Sequence, residues 1–142
     1  MSLTLEEKRA RLGSVPLFRD CSPAVLDRLA HVTSEFEFHA DAPIVQQGQV
    51  GNGLYIVVSG RVRIVAGTDV LAHIGPGDFF GELSVIDQQP RSASAYADGD
   101  TVCLALASWD LLSIMEQDPH LAANLLRELA GRLRQADEQL RH

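Results

Sequence analysis

The feature that most limits the fold is the density of glycine among short apolar segments in the middle of the chain. Nine of the 11 glycines in the 142 residues lie between Gly48 and Gly99. From Glu35 to Ala107 they help to separate "EFEFH", "PIVQQ", "GLYIVVSG", "RVRIVAG", "VLAHIGPG", "SASAYA" and "TVCLALA". Each segment is short and either alternates or is rich in β-branched residues, which reads as a strand, and the glycines between them suit tight turns with positive φ. The middle of the chain is therefore expected to be all-β, a small sandwich or barrel, interrupted only near Gly81.

Helical signals flank this region. "TLEE" places Thr4 three positions before Glu7, a capping-box pattern that opens a short helix over residues 4–12. "CSPAVLDRLAHV" supplies Ser22 as N-cap, Pro23 at the first helical position, and Val25, Leu26, Leu29, Ala30 and Val32 at helical spacing. After the strands, "SWDLLSIMEQ" reads as a short helix capped by Ser108. Asp118 and Pro119 then open a terminal helix of about 24 residues, about 36 Å long. In it Leu126, Leu129, Leu133, Ala136 and Leu140 follow 3-4-3-4 spacing. Such a stripe suits packing on the β-core, on the same helix of a second copy to form a homodimer, or on both in turn. With no internal repeat or low-complexity tract, residues 1–142 read as one domain: a helical lead over about 13–34, a β-roll over 35–107 and C-terminal helices over 108–142.

A chain with 46% hydrophobic residues can bury a core of this kind. Its longest apolar runs, such as "LYIVV" at 54–58, fall far short of a membrane span, and no stretch has the make-up of an export signal, so a cytoplasmic protein is expected. The 12 Lys+Arg stand against 19 Asp+Glu, a formal charge of −7, which argues against binding nucleic acid by charge alone. Any anion must be held by a local arrangement of donors. Cys21 and Cys103 belong to no C-x-x-C pair and read as buried free thiols.

Residues 77–95, "GDFFGELSVIDQQPRSASA", contain such an arrangement. "GELSVI" fits about one and a half helical turns, whose first amides lack internal partners and suit a phosphate. Gly81 lets a ligand approach the backbone. Arg91 returns on the far side of the turn, where its forked guanidinium can clamp a phosphate. Glu82 repels phosphate but can accept from a hydroxyl such as a ribose 2′-OH. Together these residues describe a nucleotide monophosphate pocket; the competing reading is an ordinary Glu82–Arg91 surface ion pair.

The stretch resembles the phosphate-binding cassette of the cyclic nucleotide-binding domains, F-G-E-[LI]-[AGS]-[LV] followed by [PE]-R-[ASTV]-A. Here Phe80, Gly81, Glu82, Leu83, Ser84 and Val85 match, then Pro90, Arg91, Ser92 and Ala93, within a cassette over 79–93. "PLFRDCSPAVLDRLA", "IVQQGQVGNGLYIVVSGRVRI" and "DPHLAANLLRELAGRLR" resemble the family's helical lead, early strands and final helix. The resemblance implies a mainly β jelly-roll sandwich with N-terminal helices and a C-terminal helix pair acting as a lid. It implies that Glu82 accepts from the ribose 2′-OH and that Arg91 pairs with an exocyclic phosphate oxygen. Amides near Gly81, Leu83, Ser84 and Ser92 would surround the cyclic phosphate, with Ala93 in the same motif. Val62, Ile64 and Leu71 would wall the base, and Ala136 or Asp137 would reach the purine edge.

cAMP is the expected ligand. Members that prefer cGMP often carry threonine after the arginine, and the hydroxyl of Ser92 leaves cGMP open. Members that regulate transcription append a DNA-binding winged helix, and this sequence stops at His142. Direct nucleic-acid binding is therefore not expected of it, although an effector domain could lie beyond.

Other constellations are weaker. His31, His39, His73, His120 and His142 lack the clustered ligands of a metal site. Ser84 and Ser92 have neither a G-x-S-x-G context nor an evident base, so no enzyme is expected. Trp109 reads as core or hinge packing, and alternation sends one of Phe79 and Phe80 to the core. The expected function is a regulatory cyclic nucleotide sensor in which ligand ordering of residues 81–92 shifts the packing beneath Leu83, Val85 and Ile86 and draws the last two helices over the base. The alternative is a vestigial pocket in a dimerisation or protein-interaction domain.

Overall fold

The computed structural model describes residues 2–51, 53–87 and 89–140. Helix α1 (Leu5–Gly13) opens on the expected capping box: the Thr4 hydroxyl accepts from the Glu7 amide and the Glu7 carboxylate from the Thr4 amide. A 3-10 turn over Pro16–Phe18 leads to α2 (Pro23–Val32), where the Ser22 hydroxyl accepts from the Val25 amide.

The strands follow as β1 (Ser34–Phe38), β2 (Pro43–Val45), β3 (Gly53–Ser59), β4 (Val62–Ala66), β5 (Asp69–Ile74) and β6 (Phe79–Phe80). After the short helix α3 (Glu82–Asp87) come β7 (Ser94–Ala97) and β8 (Thr101–Ala107), then α4 (Ser108–Gln117) and α5 (Pro119–Leu140). They form two antiparallel four-stranded sheets, ordered β1-β8-β3-β6 and β2-β7-β4-β5. The result is the expected β-sandwich flanked by helices.

The unbroken apolar run in β3 is explained by burial on both faces of its sheet. Leu54, Ile56 and Val58 turn to the helices and pack with Leu104, Leu106, Leu12, Phe18, Leu29 and Ile114. Tyr55 and Val57 turn to the other sheet, with Cys103 and Phe80 beside them and Val62, Ile64, Ile74 and Ala95 opposite. Burying each such side chain contributes about 1.5–3 kcal/mol, so both layers are firmly held. The same division answers the Phe79–Phe80 question: both rings are buried, Phe79 among the helices and Phe80 between the sheets, stacked on Tyr55 at 5.3 Å.

Three expectations are corrected here. Ser108 is the first residue of α4, with Ala107 at the N-cap position. Trp109 is 63% exposed rather than packed, because the inward face of α4 is taken by Leu111 and Ile114. Cys103 is fully buried, but Cys21 only partly so. Burial pushes the Cys103 thiol up to about 12, and burial together with Asp118 and Asp20 pushes Cys21 up to about 11.

Helix α5 starts as expected at Pro119, with Asp118 Oδ1 accepting from the His120 amide. Its leucines divide between two faces. Leu121 and Leu125 are buried and Leu129 packs on the same cluster, while the Asn124 amide donates to the carbonyls of Leu17 and Arg19 and ties the helix to the 3-10 turn. Leu126 and Leu133 are 68% and 67% exposed, one heptad apart on another face. The Leu140 side chain and His142 lie outside the described residues. No described helix is long and apolar enough to cross a membrane.

Candidate functional site

The inner face of the second sheet supplies one wall of the site. Ile64 stands opposite both Ala72 and Ala95, and Val62 opposite Ile74 and Ala97, so these side chains share a face. A cavity of about 440 Å³ lies between this wall, the β6–α3 junction, residues 91–95 and α5. Ile64 lines it as expected, with Val45, Ala72, Ile74 and Ala95. Val62 does not: it is fully buried one pair deeper, in the core between the sheets. Leu71 is 57% exposed, because alternation turns it away from the face that carries Ala72. Alternation marks a face but not how far along the strand the cavity reaches, which is why small residues such as Ala72 and Ala95 escaped notice.

Arg91 occupies a corridor of glycines. It is only 7% exposed, and its Nη1 donates to the Gly81 carbonyl at 3.2 Å and its Nη2 to the Gly53 carbonyl at 2.9 Å. A Cβ at Gly51 would fall on the guanidinium, and one at Gly81 would meet both the guanidinium and the Gly53 carbonyl. Gly81 also sits at φ +91°, in the left-handed region that glycine tolerates best. The backbone of Arg91 is fixed as well, its amide donating to Gln49 and its carbonyl accepting from Gly48, both at 2.8 Å. Burial lowers the affinity of this guanidinium for its proton, partly offset by Tyr55 and Glu82. Among the described residues no carboxylate lies within ion-pair distance of it.

Glu82, the first residue of α3, is also 7% exposed, but its partner is not Arg91. Its Oε1 accepts from Arg132 Nη1 at 2.6 Å, while Arg132 Nη2 donates to the Phe79 carbonyl at 2.8 Å and the guanidinium lies 4.2 Å from the centre of the Phe79 ring. The surface-pair reading of Glu82 and Arg91 is thus replaced by two separate arrangements, each with one buried member of the expected pair. Arg132 is the residue that sequence reasoning missed: in "RELAGRLRQ" it is one of three arginines, and only the rotation of α5 selects it.

Arg132 and Gln135 are the α5 residues in the cavity wall, whereas Ala136 and Asp137 are exposed and outside it. Each further residue turns about 100° around the helix axis, which carries Asp137 well off the lining face. Ser92 and Ala93 line the cavity beside Arg91. The backbone of α3 carries the expected amides at Leu83 and Ser84, while the side chains of Leu83, Ser84 and Val85 lie outside the described residues. Ile86 is 46% exposed.

Residues 35–118, from β1 to the end of α4, match the family model of the cyclic nucleotide-binding domain. The chain belongs to the cyclic nucleotide-binding domain family. Among similar proteins, the cyclic AMP receptor protein of Thermus thermophilus is 41% identical over 88% of this chain and 60% of its own length. A crystal structure of the Thermus thermophilus catabolite activator protein superposes with a TM-score of 0.80 at 41% identity, over 88% of this chain and 61% of that one. The regulatory domain of Toxoplasma gondii PKA, solved with cAMP, superposes with a TM-score of 0.80 at 25% identity, over 90% of this chain and 50% of that one. The cyclic nucleotide-binding domain described here thus spans about 60% of the length of the first curated relatives it matches. The family match includes β6, α3 and Arg91, so most of the cavity wall lies within the matched residues, with Arg132 and Gln135 beyond them.

Proposed function

We propose that this domain binds a cyclic nucleotide, cAMP in the first instance, and serves as the sensing module of a larger regulator rather than as an enzyme. The observation that carries the reading is the buried Arg91, which lines the cavity without a carboxylate partner among the described residues while Glu82 is already matched by Arg132. Arg91 is therefore the cation left for an anion, and the single negative charge of a cyclic phosphodiester matches it one to one. The adenine base is supported by relatives named as a cyclic AMP receptor protein and as a cAMP-activated transcriptional regulator.

In this mechanism Arg91 pairs with an exocyclic phosphate oxygen, amides at Gly81, Leu83, Ser84 and Ser92 surround the phosphate, and Ile64 and its neighbours wall the base. The Glu82 carboxylate has two oxygens: Oε1 holds Arg132 and the other is left for the ribose 2′-OH. Sugar and α5 are then held by one carboxylate, so ligand binding favours the position of α5 in which Arg132 closes the site. This is a population shift, limited by the ratio of the ligand's affinities for the two helix positions. The exposed Leu126 and Leu133 suit a second copy of α5, which would carry the shift across a homodimer and on to an effector.

The other reading, a vestigial pocket in an interaction domain, draws on the fact that two carbonyls already satisfy Arg91 in part. Carbonyls do not neutralise its charge, which weakens that reading. Titration calorimetry of nucleotide-free protein with cAMP and cGMP separates the two. Saturable binding that weakens about thirtyfold or more in Arg91→Ala supports the sensor. Absence of binding to both nucleotides leaves the interaction domain.

A further inference from the structure

The second sheet is uneven at the end nearest Arg91. β7 begins at Ser94, so the last rungs there are Val45↔Ala95 with β2 and Val65↔Ser94 with β4. Gly67, in the turn that joins β4 to β5, lies past the start of β7. Gln47, two residues beyond the end of β2, spans this gap. Its amide donates to Ser94 Oγ at 2.8 Å, and its side-chain Oε1 accepts from the Gly67 amide at 2.9 Å. Gln47 itself is exposed and lies outside the cavity wall.

Gln47 also belongs to the strap that holds the backbone of Arg91. The Gly48 amide donates to the Arg91 carbonyl and the Arg91 amide to the Gln49 carbonyl, both at 2.8 Å, and Val50 bridges to Pro90. One side chain therefore joins the segment that fixes the cation to the tip of the β4–β5 arm, whose Ile64 and Ala72 line the apolar part of the cavity. The arm has need of such a tie, because β5 is an edge strand and the β4–β5 register shifts between Ile64 and Val65. Resting on the cyclic nucleotide reading above, we propose that Gln47 is a positioning residue: through Gly67 it holds the arm in place and keeps the wall for the base at a set distance from Arg91, without touching the ligand. With that bond removed, water satisfies the exposed Gly67 amide, so the fold loses little. The wall, however, gains freedom that an arriving base must take away, and affinity falls.

The test is calorimetric titration with cAMP and cGMP of wild type, Gln47→Met, Gln47→Glu, Ile64→Ala and the double variant Gln47→Met, Ile64→Ala, at high salt so that the charge added by glutamate is screened. Gln47→Met keeps the length of the side chain and loses the acceptor, and is expected to weaken cAMP about threefold with a Tm close to that of wild type. Gln47→Glu keeps an acceptor at the same reach and should recover most of that loss. Because Gln47 acts through the wall, its substitution should cost almost nothing once Ile64 is cut back to alanine. A merely structural role would give equal losses in the two backgrounds. That equality, or undiminished cAMP affinity in Gln47→Met, would overturn the role of Gln47 and leave the cyclic nucleotide reading standing. Failure of the wild type to bind either nucleotide overturns both.

Discussion

Arg91 is held by what its neighbours lack. Side chains at Gly51 and Gly81 would occupy the space that the guanidinium fills, and the carbonyls of Gly53 and Gly81 accept its hydrogen bonds. Gly51→Ala is therefore expected to push Arg91 from its place and weaken cAMP binding about tenfold, with little change in Tm because the strain falls on a side chain in a cavity. Gly75→Ala, where a Cβ meets open space, is the matched control and should leave affinity unaltered. Calorimetry and a thermal melt of each variant check both statements. That Glu82, Arg91 and Ser92 share one cavity was legible in the sequence because they lie within one short turn, a glycine, a short helix and an arginine a few residues on. Arg132 and Gln135 were not, because their places in the cavity wall depend on how a distant helix is rotated over it.

At the level of elements, α5 does two jobs along its length. Its first turns dock through Leu121, Asn124 and Leu125, and its later turns present Arg132 and Gln135 to the cavity. Deleting residues 132–142 is expected to weaken cAMP binding about ten- to thirtyfold, since Glu82 loses its charged partner, while far-ultraviolet circular dichroism still reports an intact β-roll. Unaltered affinity in the truncated protein would remove α5 from the site. Helix starts were legible from Thr4, Ser22 and Asp118, whose side chains bond to amides two or three residues away. The leucine stripe was legible only as a stripe. Spacing of three and four serves an intramolecular ridge and an intermolecular seam equally, and the division between Leu129 and Leu133 is set by where the β-roll ends.

For the molecule as a whole, the exposed seam predicts self-association. Leu126 and Leu133 are expected to bury against their counterparts in a second copy, so the double variant Leu126→Glu, Leu133→Glu should run as a monomer in light scattering where the wild type runs as a dimer. A monomeric wild type would remove the seam from the proposal. The sandwich itself followed from the spacing of glycines, but the burial of β3 on both faces needed the helices in place, since five apolar residues in a row are compatible with either a strand or a helix segment.

The clasp on Arg91 has a kinetic side. On the proposed reading, the cation that would meet the phosphate is already in position, so an arriving nucleotide would not wait for it to be ordered, and little freedom would be lost there on binding. Entry should then proceed at similar speed for nucleotides that share the sugar and phosphate, with differences between bases expressed in how long each one stays. A domain built this way would tell its ligands apart by dwell time.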